Sequence, residues 1–481
     1  MTATPARHTR MSDLPASFWW LWAAELVTWI GRFVVPFMTI FLTKHVGLTA
    51  GEAGVVVSTY GIGVVLSSLV GGILADRLGR KTVLAWSLIL SVAVLVAIPS
   101  VQGSLVTAAF LFVYGLFNGA AGPVIITMIG DIVPAAHRRT AYNYNYWAIN
   151  LGWAVGPMLA GYLADSNFSL LFYGQALLLV ASLVIVLLRV PETRTSITEG
   201  SSDVGPLSSS LEDVSAPPLR AGKGITAVLR DRVFVTFTLV MFLYSVVYNQ
   251  STTSLPLIMT AQGFASSSYG HLLTLNGLLL CLLQIPSARI LGRWSRERVT
   301  AAAIALTAVG VGLQSVAGSM TVYFLTVAIW TLGELGSHAQ AQSISADLAR
   351  RELRGRYQGV YSLNFNLATV VGPVVGGFAL DHLGARGLWI IAAGVCLVVA
   401  VILTLTSGAR NQRVASLAED DEPTPLPQDG DPAEDDVMPV EDSAEDDEPI
   451  VTPLACEVAG LTDPEPQPDW TRTAREQGAS R

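Results

Sequence analysis

The chain has 481 residues, of which 51% are hydrophobic and only 14% charged, too few charges to cover an ordinary soluble domain. Its formal net charge of −8 conceals two parts: residues 408–481 hold 20 Asp and Glu against 5 Arg, which leaves the rest of the chain at +7, the sign expected beside an anionic inner leaflet. Cys281, Cys396 and Cys456 offer neither a disulfide nor a metal framework, and no GxxxxGK[ST] run is present to hold a nucleotide.

In chain order, a short segment 1–17 carrying Arg7 and Arg10 precedes the first of twelve apolar blocks. These run over 18–42, 52–74, 82–101, 105–130, 143–164 and 168–190, then 233–260, 268–291, 299–318, 321–346, 357–380 and 386–407. Each matches the ~20 residues that a helix needs to cross ~30 Å of hydrocarbon. They are long and continuous, without the alternation of barrel strands, so helices are predicted. No small-residue cleavage site follows the first block, which is therefore expected to be retained. Residues 191–232, rich in Ser, Gly and Pro, read as a cytoplasmic loop joining two six-helix halves, 18–190 and 233–407. Residues 408–481 are rich in Pro, Asp and Glu, poor in aromatics, and are expected to be a disordered cytoplasmic tail. Of 29 Lys and Arg, 26 fall in loops on one side; Lys44 and Arg386 lie on the other, and Arg32 lies within a span. Basic loops stay cytoplasmic, so both termini are expected inside a cell membrane crossed an even number of times.

The two halves resemble one another at a fixed offset of 216 residues. Asp131 aligns with Asp347, Arg138 with Arg354, Asn150 with Asn366, Gly156-Pro157 with Gly372-Pro373, and Gly161 and Asp165 with Gly377 and Asp381. Phe18, Gly47, Arg77 and Arg80 likewise meet Phe234, Gly263, Arg293 and Arg296. One large unit has been duplicated and fused, and two facing halves of a helical bundle are the means by which secondary transporters place a substrate site midway through the bilayer.

The loop after span 2 reads Gly72-Ile-Leu-Ala-Asp76-Arg77-Leu-Gly79-Arg80-Lys81. Gly79 permits a tight turn between two membrane helices. Asp76, at a helix end, can meet a facing helix N-terminus or an arginine and latch the basic side shut. The stretch matches the G-x3-D-R-x-G-R-K signature of the major facilitator superfamily, and residues 15–410 resemble that family. The resemblance implies an all-α membrane protein of 12 spans in two pseudo-symmetric halves. A gate is expected from this loop, with Asp131 and Arg138 as further members. The second half keeps Arg293 and Arg296 but has no Asp at the equivalent place, so the gate is expected to be asymmetric. In span 5, Gly152, Gly156 and Gly161 present a face that allows close helix approach, and Pro157 removes a backbone hydrogen bond. The pattern is similar to one associated in this superfamily with proton-exchanging exporters, with Ala160 in place of one glycine. Span 11 carries a similar Gly372-Pro373 and Gly376-Gly377.

Charges inside the membrane are costly and are functional candidates for that reason. Glu25 and Arg32 lie in span 1 and Glu334 lies near the middle of span 10, with Asn118 as its repeat equivalent. Glu334 is the leading candidate for carrying a proton, with a fixed ion pair to Arg32 as the alternative. His338, one turn on, is placed either to relay that proton or to make an interhelical hydrogen bond. The Glu25-Leu-Val-Thr28-Trp29-Ile-Gly31 stretch looks like the first span of multidrug/proton antiporters of the chloramphenicol-exporting type, with Phe33 replacing their second acid. Gly333-Glu334-Leu335 resembles other multidrug exporters of the superfamily. Span 4 departs from them: Gly115-Leu-Phe-Asn118-Gly119 lacks the usual arginine, and Arg32 is expected to supply that charge.

A cavity wall is expected from Trp29, Asn118, Asn143, Trp147, Asn150, Tyr244, Tyr248, Asn249, Asn276, Gln284 and Trp330, an aromatic lining suited to amphipathic and cationic compounds. Together these features predict a monomeric antiporter that exports drug-like molecules against protons, with no cofactor, no nucleotide and no nucleic-acid partner. Two other readings stay open. One is an uptake symporter or organic-anion exchanger centred on Arg32. The other is a non-transporting scaffold acting through the acidic tail.

Overall fold

The computed structural model describes residues 13–193, 223–350 and 353–420. Most of the N-terminal segment, most of the central loop and the acidic tail beyond residue 420 lie outside the described residues. Those residues fold into helices α1 (Ala16–Ile30), α2 (Val34–Lys44), α3 (Ala50–Leu78), α4 (Arg80–Ala97), α5 (Ser104–Ile132), α6 (Arg138–Ser166) and α7 (Phe168–Arg189). The second half follows with α8 (Lys223–Arg230), α9 (Arg232–Tyr248), α10 (Gln250–Ala261), α11 (Ser266–Leu291), α12 (Arg296–Leu313), α13 (Met320–Asp347), α14 (Arg354–Leu405) and α15 (Ser407–Asp420). Each predicted span coincides with a helix, a broken helix or one arm of α14. Eight of the described helices, counting each broken pair as one, are long and apolar enough to cross a membrane. Of the long helices outside that set, α6 and α11 carry polar residues that meet between the halves, and α13 carries Glu334.

Local chemistry sets the ends. Thr49 Oγ1 accepts the Glu52 N–H at 3.2 Å while the Thr49 N–H donates to Glu52 Oε2 at 2.9 Å, a reciprocal cap that starts α3. Asp231 Oδ1 accepts the Phe234 N–H at 3.1 Å and starts α9. Gly384, with φ of 68°, reverses the chain inside α14 and makes it two arms, as the spans at 357–380 and 386–407 require. Gly79, with φ of 98° and ψ of 142°, turns α3 into α4 in a region that only glycine occupies without strain. A Cβ there would lie 2.9 Å from Glu192 Oε2. Gly79→Ala is expected to destabilise the protein by about 1–3 kcal/mol, measurable as a lowered Tm of the purified protein in detergent.

Spans 1 and 7 are both broken, at repeat-equivalent places. α1 ends at Ile30 and α2 begins at Val34; α9 ends at Tyr248 and α10 begins at Gln250. Irregular backbone at membrane depth must have its polar groups satisfied by protein, and two glutamines do this. Gln175 Oε1 accepts the Val34 N–H at 2.9 Å, and Gln250 Nε2 donates to Val246 O and Gly372 O at 2.9 Å each.

The halves meet where α3 packs on α14, α6 on α11 and α2 on α10. The close approaches obey the repeat. Gly54 faces the Pro373 carbonyl and Gly270 faces the Pro157 carbonyl, with no room for a side chain at either place. Further in, Gly61 meets Thr369 and Gly277 meets Ala154. These contacts lie toward the face opposite the basic loops. At the basic face, Gly72 has no atom of another element within 4 Å of where a Cβ would stand.

One boundary differs from the sequence reading. Composition assigns 408–481 to a single tail, but Ser407–Asp420 is helical and fastened to the second half. Arg410, 2% exposed, donates through Nε to Glu297 Oε1 at 2.9 Å and through Nη1 to Thr406 Oγ1 at 2.6 Å, and also pairs with Glu297 through Nη2. Arg413 pairs with Asp231 at 3.6 Å. A charged sequence joins the folded body where its charges find fixed partners, as Arg410 and Arg413 do here, which composition does not report.

Candidate functional site

At mid-depth each half holds a polar node built from its first, second and fourth spans. In the first half, Arg32 donates through Nη2 to Asn118 Oδ1 at 3.2 Å, and the Tyr60 hydroxyl donates to the same oxygen at 3.2 Å. In the second, the Tyr248 hydroxyl donates to Glu334 Oε1 at 2.7 Å and Asn276 Nδ2 donates to Glu334 Oε2 at 2.8 Å. The offset of 216 maps Arg32 onto Tyr248, Tyr60 onto Asn276 and Asn118 onto Glu334. The duplication has thus kept one three-helix node twice and changed its chemistry, with a cation at its periphery in one copy and an acid at its centre in the other.

Around these nodes the structure sorts the candidates. Trp29 donates its indole N–H to Glu25 Oε1 at 2.8 Å, and the Arg32 guanidinium lies 4.2 Å from the Trp29 ring centroid, a cation–π contact. Tyr114, beside Asn118, accepts from Gln175 Nε2 at 2.6 Å. In the second half Asn276 also donates to Thr331 Oγ1 at 3.0 Å, and Trp330 stands edge-on to Tyr248 with ring centroids 6.0 Å apart. Trp330 is buried, yet its indole N–H has no partner. Asn150 bridges the halves, donating to Gln284 Oε1 at 3.4 Å. Trp147 is about half exposed and Asn143 exposed on α6. Asn249 sits at the break in span 7, donates to Ser245 O at 3.0 Å and packs against Gly372.

Three expectations are corrected, and a fourth is met in one of its two forms. Glu334 is not in a fixed pair with Arg32, because each is held inside its own half. His338 makes no hydrogen bond to the Glu334 carboxylate and none to another helix, and both its ring nitrogens are buried. Its ring packs 4.9 Å from Tyr248 and 5.7 Å from Phe365. Tyr244 does not line a cavity; it is fully buried, with its hydroxyl 2.9 Å from Ser337 Oγ and 3.4 Å from Thr307 Oγ1. Tyr244 and Tyr248 stand four residues apart on α9, and that single turn separates core from centre. Of the two partners expected for Asp76, the structure gives the arginine and not a facing helix. Its side chain is 71% exposed and 3.8 Å from Arg80, which pairs more closely with Asp131 at 3.0 Å.

The basic face carries this second cluster. Arg80 Nη1 also donates to Thr193 O at 3.0 Å, and Lys81 Nζ donates to Leu187 O at 2.9 Å. Arg138 Nε donates to Val133 O at 3.2 Å, and Arg77 is exposed. Burial pushes the Asp131 carboxyl above the ordinary aspartate range despite the opposing pull of Arg80. The repeat-equivalent pair Arg296–Asp347 is formed as well. Glu192 was not among the predicted residues: its carboxylate accepts the Lys81 N–H at 3.2 Å and the Thr82 N–H at 3.3 Å, at the start of α4. An acid just past span 6 was its only signal. Gly152 and Gly156 let α1 approach α6 at Trp29 and Ile30, and Gly161 lies against Ser267.

Two helical halves, each with a broken first span and a mid-depth polar node, form the architecture of a membrane transporter rather than an enzyme. The chain belongs to the major facilitator superfamily, whose family model matches residues 21–267 and 251–434. It is similar to an uncharacterized major-facilitator-type transporter of Bacillus subtilis, YttB, at 24% identity over 78% of this chain and 90% of that one. It is also similar to the multidrug resistance protein MdtH of Aeromonas hydrophila, at 23% identity over 77% and 89%. Its fold matches that of the nucleoside transporter NupG with a TM-score of 0.68 at 14% identity, covering 81% of this chain and 99% of that one.

Proposed function

We propose that the protein exports small amphipathic compounds across the cytoplasmic membrane in exchange for protons. In this reading it works as a monomer, with the basic face and both termini in the cytoplasm. The observation that carries the reading is the setting of Glu334. It lies at the centre of the second node, held by a phenol and an amide and hydrogen-bonded to no cation. An acid so placed takes a proton or a cationic substrate in turn, and the aromatic groups around it, Tyr248, Trp330 and Phe365, suit an apolar cation. Similarity to a multidrug resistance protein agrees with that substrate class. Rocking of the halves then presents the node to each side in turn.

The test is proton release from purified protein in weakly buffered detergent solution on adding cationic, neutral and anionic compounds. Release with lipophilic cations and none with anions is expected; no release with any compound would overturn the proposal. Arg32 gives a second reading, organic-anion exchange or proton-coupled uptake, because Asn118, a neutral group, is its hydrogen-bond partner in the node. Proton uptake with anions alone would favour it. A scaffold acting through the tail is separated from both by truncation after Asp420, which spares the fastened α15: transport should persist.

A further inference from the structure

Asp165 and Asp381 are repeat equivalents to which neither the nodes nor the basic-face clusters give a part. Each stands at the end of a helical arm and reaches into the other half. Asp165 accepts the Ser266 N–H at 2.7 Å with Oδ1 and the Ser267 N–H at 3.0 Å with Oδ2. Asp381 accepts the Ala50 N–H at 3.2 Å with Oδ1 and the Gly51 N–H at 2.7 Å with Oδ2. Ala50-Gly51 and Ser266-Ser267 are related by the same offset of 216, so one contact is made twice, crosswise, by a duplicated sequence.

The donors are first-turn N–H groups of α3 and α11. They have no partner within their own helix and mark the positive end of its dipole. One turn before each aspartate lies a glycine. A Cβ on Gly161 would stand 2.6 Å from Ser267 Cα, and one on Gly377 would stand 2.8 Å from the Ala50 carbonyl carbon. The arm therefore reads G-x3-D: glycine admits the facing helix start, and the aspartate then receives its N–H groups. Burial opposes the charge on Asp165, but hydrogen bonds from Ser267 and Ser266 outweigh it and hold the carboxyl below the ordinary aspartate range.

The same G-x3-D spacing occurs at the basic face as Gly72 to Asp76, where it is disengaged: Gly72 has no neighbour and Asp76 is exposed. Two copies are engaged on one face while the third is free on the other.

We infer that Asp165 and Asp381 are paired latch residues that hold the halves together on the face opposite the basic loops, and that both contacts break in every transport cycle. This rests on the alternating-access reading above and on its orientation. It identifies the residues whose release opens the outer side.

The test uses the full chain, with Cys281, Cys396 and Cys456 replaced by Ser and one cysteine introduced at Ser58. That residue is buried between Gly54 and Gly61 on the α3 face that meets α14. A membrane-impermeant thiosulfonate is applied to intact cells. Asp165→Ala with Asp381→Ala is expected to raise the labelling rate at Ser58→Cys about tenfold, as a shift of population toward the outward-open state requires. The Asn pair keeps one acceptor at each site and should fall between. Ser266→Pro with Ala50→Pro removes donors rather than acceptors at helix positions where proline is tolerated; it should act in the same direction, and it decides the matter if the Ala variants do not fold. Unchanged labelling in folded variants would overturn the latch. Gly318→Cys, in an exposed loop on the same face, checks orientation separately. If it is labelled only in inside-out vesicles, the orientation is reversed, and the Ser58→Cys rates are then read in those vesicles.

Discussion

Glu334→Gln is expected to reduce proton-driven transport to the level of protein-free vesicles while leaving the protein folded. Glutamine keeps the shape of the side chain and the oxygen that accepts from Tyr248. The Asn276 amide can turn to present its oxygen to the new NH2 group, with the Thr331 hydroxyl turning from acceptor to donor toward that oxygen, and no charge remains to be desolvated. What is lost is the titrating group. The measurement is substrate flux in proteoliposomes under an imposed pH difference, paired with the Tm of the same preparation. Full coupling in a folded Glu334→Gln protein would remove Glu334 from the mechanism. Exchange that persists without a pH response would show that substrate still enters the site uncoupled.

Arg410→Met is expected to destabilise the second half by about 3–5 kcal/mol, the usual cost of stripping one partner from a buried ion pair. Arg410 is enclosed by Glu297, Thr406, the Leu403 carbonyl and the face of Phe237. Removing it leaves Glu297 charged and nearly buried. The double variant Glu297→Gln with Arg410→Met should recover much of the loss, because no unpaired charge then remains. Thermal unfolding of the three proteins in one detergent decides it, and equal Tm values for Arg410→Met and the parent would show that the pair is solvated.

Much of the architecture was legible in the chain. Helix-length apolar blocks can be satisfied in a bilayer in few ways, so the spans, and with them the fold, followed from hydropathy. The offset of 216 showed that the halves are copies. The same offset pairs Arg32 with Tyr248 and Asn118 with Glu334. The third members of the nodes carry no such signal: Asn276 reads only as a wall residue, and Tyr60 has nothing to mark it beyond standing 216 residues before Asn276. Hydrogen bonding among three helices depends on helix rotation, which composition does not encode. For the same reason Tyr244 was assigned to the wall and proved to be core.

Covalent order and polarity determined which segments enter the membrane, that the unit was duplicated, and that acids lie at mid-depth. These are properties of individual residues and of spacing along the chain. Tertiary structure alone decided that Glu334 is held by Tyr248 and Asn276 rather than by Arg32, that Arg410 fastens α15, and that Asp165 and Asp381 cross between halves while Asp76 meets only Arg80 of its own half. Each of those outcomes depends on which helix ends face one another, a relation between segments far apart in sequence that arises only when the two halves close against each other.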